Sequence, residues 1–205
     1  MRSHLPLRSL TVLCALLIAP LAHAHEGHGV ASHFAAGFLH PLSGVDHLLA
    51  MVLVGMWCWA KPRLGWIAPL LFMTGLILGA GLGLSGGLAS KNLELFIALT
   101  LIVLGGMVGV MPLFKDHLWW RVGLVSIMGF GAVHGYMHGV ELQSSLDLQG
   151  LAGMVCASAC LHASGWWAGK RLILRHARLR AWTAMASMGT GGWLLAGLLA
   201  SGGTP

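Results

Sequence analysis

The chain has 205 residues, of which 57% are hydrophobic and only 9% are charged. A soluble domain of this length needs far more charge to cover its surface, so the composition indicates a membrane protein. The formal net charge of +6 does not indicate nucleic-acid binding, because the basic residues lie in short gaps between apolar runs, where they orient membrane helices.

The first predicted element is a cleaved signal peptide over residues 1–24. A start with two arginines precedes a short apolar stretch, and the tripeptide AHA that ends at Ala24 satisfies the small-x-small rule for cleavage. The apolar stretch is too short to span a bilayer, although an uncleaved anchor is the alternative. Cleavage would leave His25 as the mature amino terminus, where its α-amine and imidazole, together with His28, could chelate a metal.

Six apolar runs follow in a single predicted domain, residues 25–205, and each is near the roughly 20 residues that a helix needs to cross about 30 Å of hydrocarbon. They cover residues 39–60, 65–84, 93–111, 121–140, 149–169 and 181–200. The predicted fold class is therefore an all-α membrane protein with six transmembrane helices in one bundle. Dense glycine in the second, third and sixth runs predicts close helix packing.

The connections between the runs predict the orientation of the bundle. The first, third and fifth connections carry nine lysines and arginines together, whereas the second carries one and the fourth carries none. Positive charge favours the cytoplasmic side. We therefore expect a multi-pass protein of the bacterial inner membrane with both mature termini in the periplasm.

A polar segment, HPLSGVDH, opens the first run. Its candidate metal ligands are His40, Asp46 and His47. Pro41 removes a backbone donor and Gly44 loosens the turn, so the helix is predicted to break or kink between His40 and Val45. Broken helices aim side chains into cavities, and many membrane ion sites are built in this way. The segment therefore predicts half of a metal site at the periplasmic mouth; the alternative is an interfacial histidine pair with a helix-capping aspartate.

The fourth run carries a second candidate ligand set, His134, His138 and Glu141, in the sequence VHGYMHGVE. The spacing of i, i+4 and i+7 places the three side chains on one helical face. The histidine pair has the spacing of a zinc metalloprotease helix, but Gly135 stands where the general-base glutamate should be, which argues against peptide hydrolysis. A glycine after each histidine lets a neighbouring backbone or an ion come close.

Two further ionisable residues are candidates by position. Glu94 lies one turn into the third run, where it could cap the helix start or face the same cavity. His162 lies deeper in the fifth run, and because imidazole is expensive in lipid, we interpret it as functional rather than as a merely hydrogen-bonded side chain. We expect the first-run and fourth-run ligands to converge on one cavity that opens to the periplasm.

Four stretches carry a family resemblance: HPLSGVDHLLAM, LELFIALTLIVLG, AVHGYMHGVE and LHASGWWAG. Together they resemble the HupE/UreJ family of bacterial nickel permeases over nearly the whole mature chain. The resemblance implies secondary transport or facilitated uptake of nickel for hydrogenase or urease assembly. It also implies a set of metal residues, namely His40, Asp46, His47, His134, His138 and Glu141. One departure is Val133, where relatives usually have phenylalanine, which affects packing beside the site more than its ligands.

The predicted function is a permease that carries a divalent metal ion, with Ni²⁺ as the first candidate, from the periplasm to the cytoplasm. Imidazole with carboxylate suits Ni²⁺, Co²⁺ or Zn²⁺, and the sequence leaves open which of these is carried, how transport is driven and whether the chain forms a homo-oligomer. No prosthetic group, no nucleic-acid partner and no enzyme activity are expected.

The main alternative is a haem-binding membrane electron-transfer subunit, because histidines on separate helices could ligate iron from both faces. A hydrolase with Ser164 or Ser43 as nucleophile is disfavoured, because no oxyanion-hole motif accompanies either serine.

Overall fold

The structure is a computed structural model that describes residues 30–59, 65–85, 90–111, 117–141, 148–173 and 175–201. The described chain forms seven α-helices: α1 (Val30–Ser43), α2 (Val45–Cys58), α3 (Ile67–Gly83), α4 (Ser90–Val110), α5 (His117–Glu141), α6 (Leu148–Ala168) and α7 (Ala177–Ser201). A π-helical turn, Gly169–Ile173, extends α6. The predicted all-α class is confirmed. The predicted signal peptide, with His25 and His28 after it, lies outside the described residues and stays a prediction.

Helices α1 and α2 form the predicted broken segment. Helix α1 ends at Ser43 and α2 begins at Val45, and the two helix axes differ by 81°. Gly44 between them has extended backbone angles of φ −94° and ψ 117°, so the chain leaves the helical conformation for one residue. The predicted break between His40 and Val45 is therefore confirmed, although α1 begins well before residue 39, where the first run was expected to start.

Length and apolar character identify fewer membrane spans than the six apolar runs predicted. Among the described helices, Leu93–Val110 is long and apolar enough to cross a bilayer, and the bent pair α1–α2 provides a second span if it is counted as one. Ile67–Gly83 is apolar but shorter. Helices α5, α6 and α7 have the length, but they contain many glycine and polar residues, which lower their mean hydropathy. The count of six spans thus stays a prediction.

Helices α3 and α5 pack with their backbones in contact. Glycines recur every four residues on both helices: Gly75, Gly79 and Gly83 on α3, and Gly131, Gly135 and Gly139 on α5. A methyl group on Gly79 would overlap the carbonyl oxygen of Ala132, and one on Gly135 would overlap that of Leu76. Small residues permit this approach in membrane helices, so the glycines after His134 and His138 accommodate a neighbouring backbone.

Helix α2 lies in the centre of the bundle. Its residues from Ala50 to Cys58 are buried except Val52, and it packs against α3, α4 and α6. A helix that is apolar on all sides is one that is buried on all sides. Large apolar side chains also cover the outside of the bundle, among them Val125, Trp182 and Trp193, as expected for a protein whose exterior meets lipid. Asp46 and His47 lie in the partly buried first turn of α2, before its buried part begins at Ala50.

Helices α4 and α7 form a second close pair, which one side chain links by a hydrogen bond. The buried Ser187 hydroxyl of α7 donates to the Leu101 carbonyl of α4 at 2.9 Å. Because no water is available in the interior to replace this bond, the carbonyl loses a donor if the hydroxyl is removed.

Substitution of Ser187 by alanine is expected to lower the free energy of unfolding by about 0.5–1.5 kcal/mol, the net contribution of a typical intramolecular hydrogen bond. Thr190→Ala is the matched control on the same helix, because the exposed Thr190 hydroxyl donates to its own helix at Ala186. Thermal unfolding in detergent measures both variants. Equal shifts in the two variants would show that the bond between α4 and α7 contributes nothing.

Candidate metal site

The break between α1 and α2 places the first-run ligands around one glycine. His40 lies in the last turn of α1, and Asp46 and His47 lie in the first turn of α2. A methyl group on Gly44 would lie 2.7 Å from Asp46 Oδ1 and 2.9 Å from His47 Nδ1. Other residues readily adopt the φ of Gly44, so the backbone conformation does not require glycine. The lack of space for a side chain does. The missing side chain lets the carboxylate and the imidazole fold back over the break.

Asp46 orients the imidazole of His47. The His47 Nδ1–H donates to Asp46 Oδ1 at 2.9 Å, and the two side chains are 24% and 12% exposed for Asp46 and His47 respectively. Since Nδ1 carries the proton, the lone pair of the ring is on Nε2, a buried atom that has no hydrogen-bond partner. A carboxylate that fixes the tautomer of a histidine in this way is typical of metal-binding histidines.

His134 is oriented in the same way by its own helix. Its Nδ1–H donates to the carbonyl oxygen of Phe130, one turn earlier, at 2.9 Å. The imidazole is fully buried, and its Nε2 also has no hydrogen-bond partner. An unpaired buried nitrogen costs free energy. His134 therefore presents a desolvated lone pair to the interior of the bundle.

His138 lies one turn after His134 and connects α5 to α1. Its Nδ1 and the Nε2 of His40 form a hydrogen bond of 3.0 Å, and its side chain is 1% exposed. One of these two nitrogens donates and the other accepts. This bond joins residues that are 98 positions apart, so it brings the first-run and fourth-run motifs together.

Four imidazole rings thus form one group, the four-histidine cluster: His40, His47, His134 and His138. The centroid of the His47 ring lies 4.6 Å from that of His138, 5.1 Å from that of His134 and 6.3 Å from that of His40. The expected convergence of these histidines, with Asp46 beside them, is present in the structure. Among the described residues, no three His, Cys, Asp or Glu side chains have their donor atoms placed to hold one ion together. One hydrogen bond joins His40 to His138, and the ring of His47 packs against those of His134 and His138.

A cavity of about 460 Å³ adjoins the cluster. Asp46, His47 and Glu94 line it, together with apolar side chains of α5 and α7 such as Met137 and Trp193. Of the two positions that the sequence left open for Glu94, the structure has the one facing this cavity. Two carboxylates and an imidazole thus share a space, and their negative charge favours a cation there.

The remaining candidates are not part of the cluster. His162 of α6 contacts the Phe72 ring, as His134 does, and the ring centroid of Phe72 is 5.8 Å from that of His134 and 5.4 Å from that of His162. Glu141 is the last residue of α5, and its side chain, like those of His25 and His28, lies outside the described residues. Sequence reasoning missed Phe72, because an apolar residue in an apolar run gives no signal of its own.

The donor set of the cluster suits a divalent transition-metal ion. Imidazole nitrogen with carboxylate oxygen fits Ni²⁺, Co²⁺ or Zn²⁺, whereas Mg²⁺ prefers oxygen donors. The hydroxyls of the two serines considered as nucleophiles both donate to carbonyls of their own helices. Ser43 donates to the His40 carbonyl at 2.7 Å and Ser164 donates to the Leu161 carbonyl at 2.8 Å. The described arrangement thus favours cation binding over nucleophilic chemistry.

Comparisons with known proteins agree with the resemblance noted in the sequence. Residues 13–194 match the family described as HupE / UreJ protein. A curated relative, Protein HupE of Rhizobium leguminosarum bv. viciae, is 37% identical over 160 residues, which cover 76% of this chain and 79% of the relative. No solved structure matches the chain significantly.

Proposed function

The chain belongs to the HupE/UreJ family, a family of membrane proteins, and from this premise we propose that it is a permease that carries a divalent metal ion through the four-histidine cluster. Ni²⁺ is the first candidate, because nickel uptake for hydrogenase or urease maturation is the role associated with the family. The observation that carries the proposal is the convergence of His47 and His134, two buried imidazoles with unpartnered Nε2 atoms, whose ring centroids lie 5.1 Å apart.

The ion would be held after small side-chain movements. The unpartnered Nε2 atoms of His47 and His134 supply two donors, and rotation of the His40 and His138 rings out of their mutual hydrogen bond supplies two more. Asp46 adds negative charge directly behind His47. Neutral imidazoles bind more weakly than thiolates, so such a site binds a cation strongly enough to replace water and weakly enough to release it.

We further propose the membrane arrangement that the sequence predicts, with six spans and α1–α2 as a broken first span. Helix α5 begins near the basic residue Arg121 and ends at the cluster. The π-helical turn after α6 carries Lys170 and Arg171 and lies beside the far end of α2. The positive-inside rule then favours a cytoplasmic position for the basic end and a periplasmic position for the cluster. The cavity lined by Asp46 and Glu94 would be the periplasmic opening.

The haem alternative has less support from the same geometry. A haem held by two histidines needs its ligand rings on opposite faces of the porphyrin. In the cluster, the rings of His47 and His138 pack against each other with centroids 4.6 Å apart. A purified protein with stoichiometric haem absorbance would nevertheless favour the electron-transfer function over transport.

Metal uptake by a bacterial host that lacks its own nickel uptake systems tests the proposal. Cells that produce the protein are expected to accumulate radioactive nickel well above cells with an empty vector. Competition by excess Co²⁺ or Zn²⁺, but not by Mg²⁺, is expected from the donor set. Accumulation equal to the empty vector, with the protein detected in the membrane, would refute the proposed function.

A further inference from the structure

A second histidine of the bundle has the same local arrangement as His134 but lies outside the cluster. The Nδ1–H of His162 donates to the Ser158 carbonyl, one turn earlier on α6, at 2.7 Å. The ring is 4% exposed, and its Nε2 is buried without a hydrogen-bond partner. His134 and His162 thus each present a desolvated imidazole lone pair, and the cost of leaving such a nitrogen unpaired is the same in both places.

The ring of Phe72 contacts both of these histidines. Phe72 is fully buried, and its centroid lies 5.8 Å from the His134 ring and 5.4 Å from the His162 ring. Its backbone is fixed, because a methyl group on Gly131 of α5 would overlap the Phe72 carbonyl oxygen. The movement left to Phe72 is therefore rotation of its side chain.

The backbone at His162 is fixed in the same manner. A methyl group on Gly55 of α2 would overlap the His162 carbonyl oxygen, and one on Gly165 of α6 would overlap the Val52 carbonyl oxygen. Helices α2 and α6 are therefore in backbone contact on either side of His162. This packing fixes the backbone of α6 at His162 against α2.

A second cavity begins at His162. It has a volume of about 390 Å³, and His162 and Cys58 contribute polar atoms to a lining that is otherwise apolar and includes Trp66 and Trp166. Cys58 ends α2 and Trp66 precedes α3, so the cavity lies at the end of α2 remote from the cluster. The Lys170 ammonium lies 4.7 Å from the centroid of the Trp166 ring.

We propose that His162 is a second cation-binding position, next to the Phe72 ring that also contacts His134 of the cluster, and that the ion leaves the protein from it through the cavity beside Cys58. The inference rests on the proposed transport function and adds to it a second step. A divalent ion that leaves the cluster needs a new donor before it reaches water, because the apolar interior offers no hydration. His162, which contacts Phe72 and lies outside the cluster, has such an unpartnered nitrogen.

Nickel uptake and nickel binding by His162 variants separate this step from the first. His162→Gln keeps a polar side chain that can donate to Ser158 but is a poor nickel ligand, so uptake is expected to fall by about tenfold or more. The affinity of the cluster for nickel is expected to stay near the wild-type value in the purified variant, because the cluster is intact. His162→Cys restores a metal ligand and is expected to recover uptake to at least about three times that of His162→Gln.

Wild-type uptake by His162→Gln, or no more uptake by His162→Cys than by His162→Gln, would overturn the second binding position. Unaltered uptake by His176→Ala, an exposed histidine outside both cavities, is the expected control result. Absence of uptake by the wild-type protein would instead overturn the proposed function itself, so the two failures are distinguishable.

Discussion

Cells that produce the His134→Ala variant are expected to take up nickel at least about tenfold more slowly than cells with the wild-type protein. The substitution removes a fully buried imidazole whose Nε2 has no hydrogen-bond partner, and it leaves His47 without its neighbouring ring at 5.1 Å. A desolvated divalent ion cannot replace this donor with water. Uptake of radioactive nickel is compared at equal amounts of protein in the membrane fraction.

The matched controls are His117→Ala and His176→Ala, because both histidines are exposed and lie outside the cluster. Uptake by both variants is expected to stay close to the wild-type level.

A double variant that combines Asp46→Asn with His134→Ala provides a stricter test. If both residues act on one ion, the double variant loses little more than the worse single variant. A double variant whose loss of uptake equals the product of the two single losses would refute a shared site, as would wild-type uptake by His134→Ala.

The Gly135→Ala variant is expected to be destabilised by about 1–3 kcal/mol and to lose most nickel uptake, although it removes no ligand. An added methyl group would overlap the Leu76 carbonyl oxygen, so α3 and α5 must separate. The residue before Gly135 is His134, whose imidazole would move away from His47. Unfolding in detergent and nickel uptake are measured on the same preparation.

Gly129→Ala is the matched control on the same helix. A methyl group there meets no atom within 4 Å, and alanine has the higher helix propensity. The control is therefore expected to be as stable as the wild type or slightly more stable, with unaltered uptake. Equal stability of Gly135→Ala and Gly129→Ala would show that the glycine contact between α3 and α5 does not position the cluster.

Local features of the site could be predicted from the sequence because their causes are local. Pro41 and Gly44 predict the break that the structure has at Gly44, and the i, i+4 spacing predicts that His134 and His138 share a helical face. The glycine runs predict close packing, but their partner helix is set by the tertiary arrangement. Whether Glu94 faces the cavity depends on the rotation of α4, which one ionisable residue in an apolar run does not determine.

Other features have no local signal. The hydrogen bond between His40 and His138 depends on how α1 meets α5, and no spacing in the sequence encodes that angle. Phe72 contacts both His134 and His162, yet in the sequence it is one apolar residue among many. The number of spans stays undetermined for a related reason, since glycine and polar residues that serve packing also lower the hydropathy by which spans are recognised.

Nickel flux into liposomes that contain the purified protein tests the central claim most directly, because no host protein can contribute. A metal-sensitive dye inside the vesicles reports Ni²⁺ that crosses the membrane. The account predicts fast, protein-dependent influx for the wild type and influx near that of empty liposomes for Asp46→Asn and His134→Ala. Equal influx through the wild type and both variants, or no influx above empty liposomes for the wild type, would contradict transport through the four-histidine cluster.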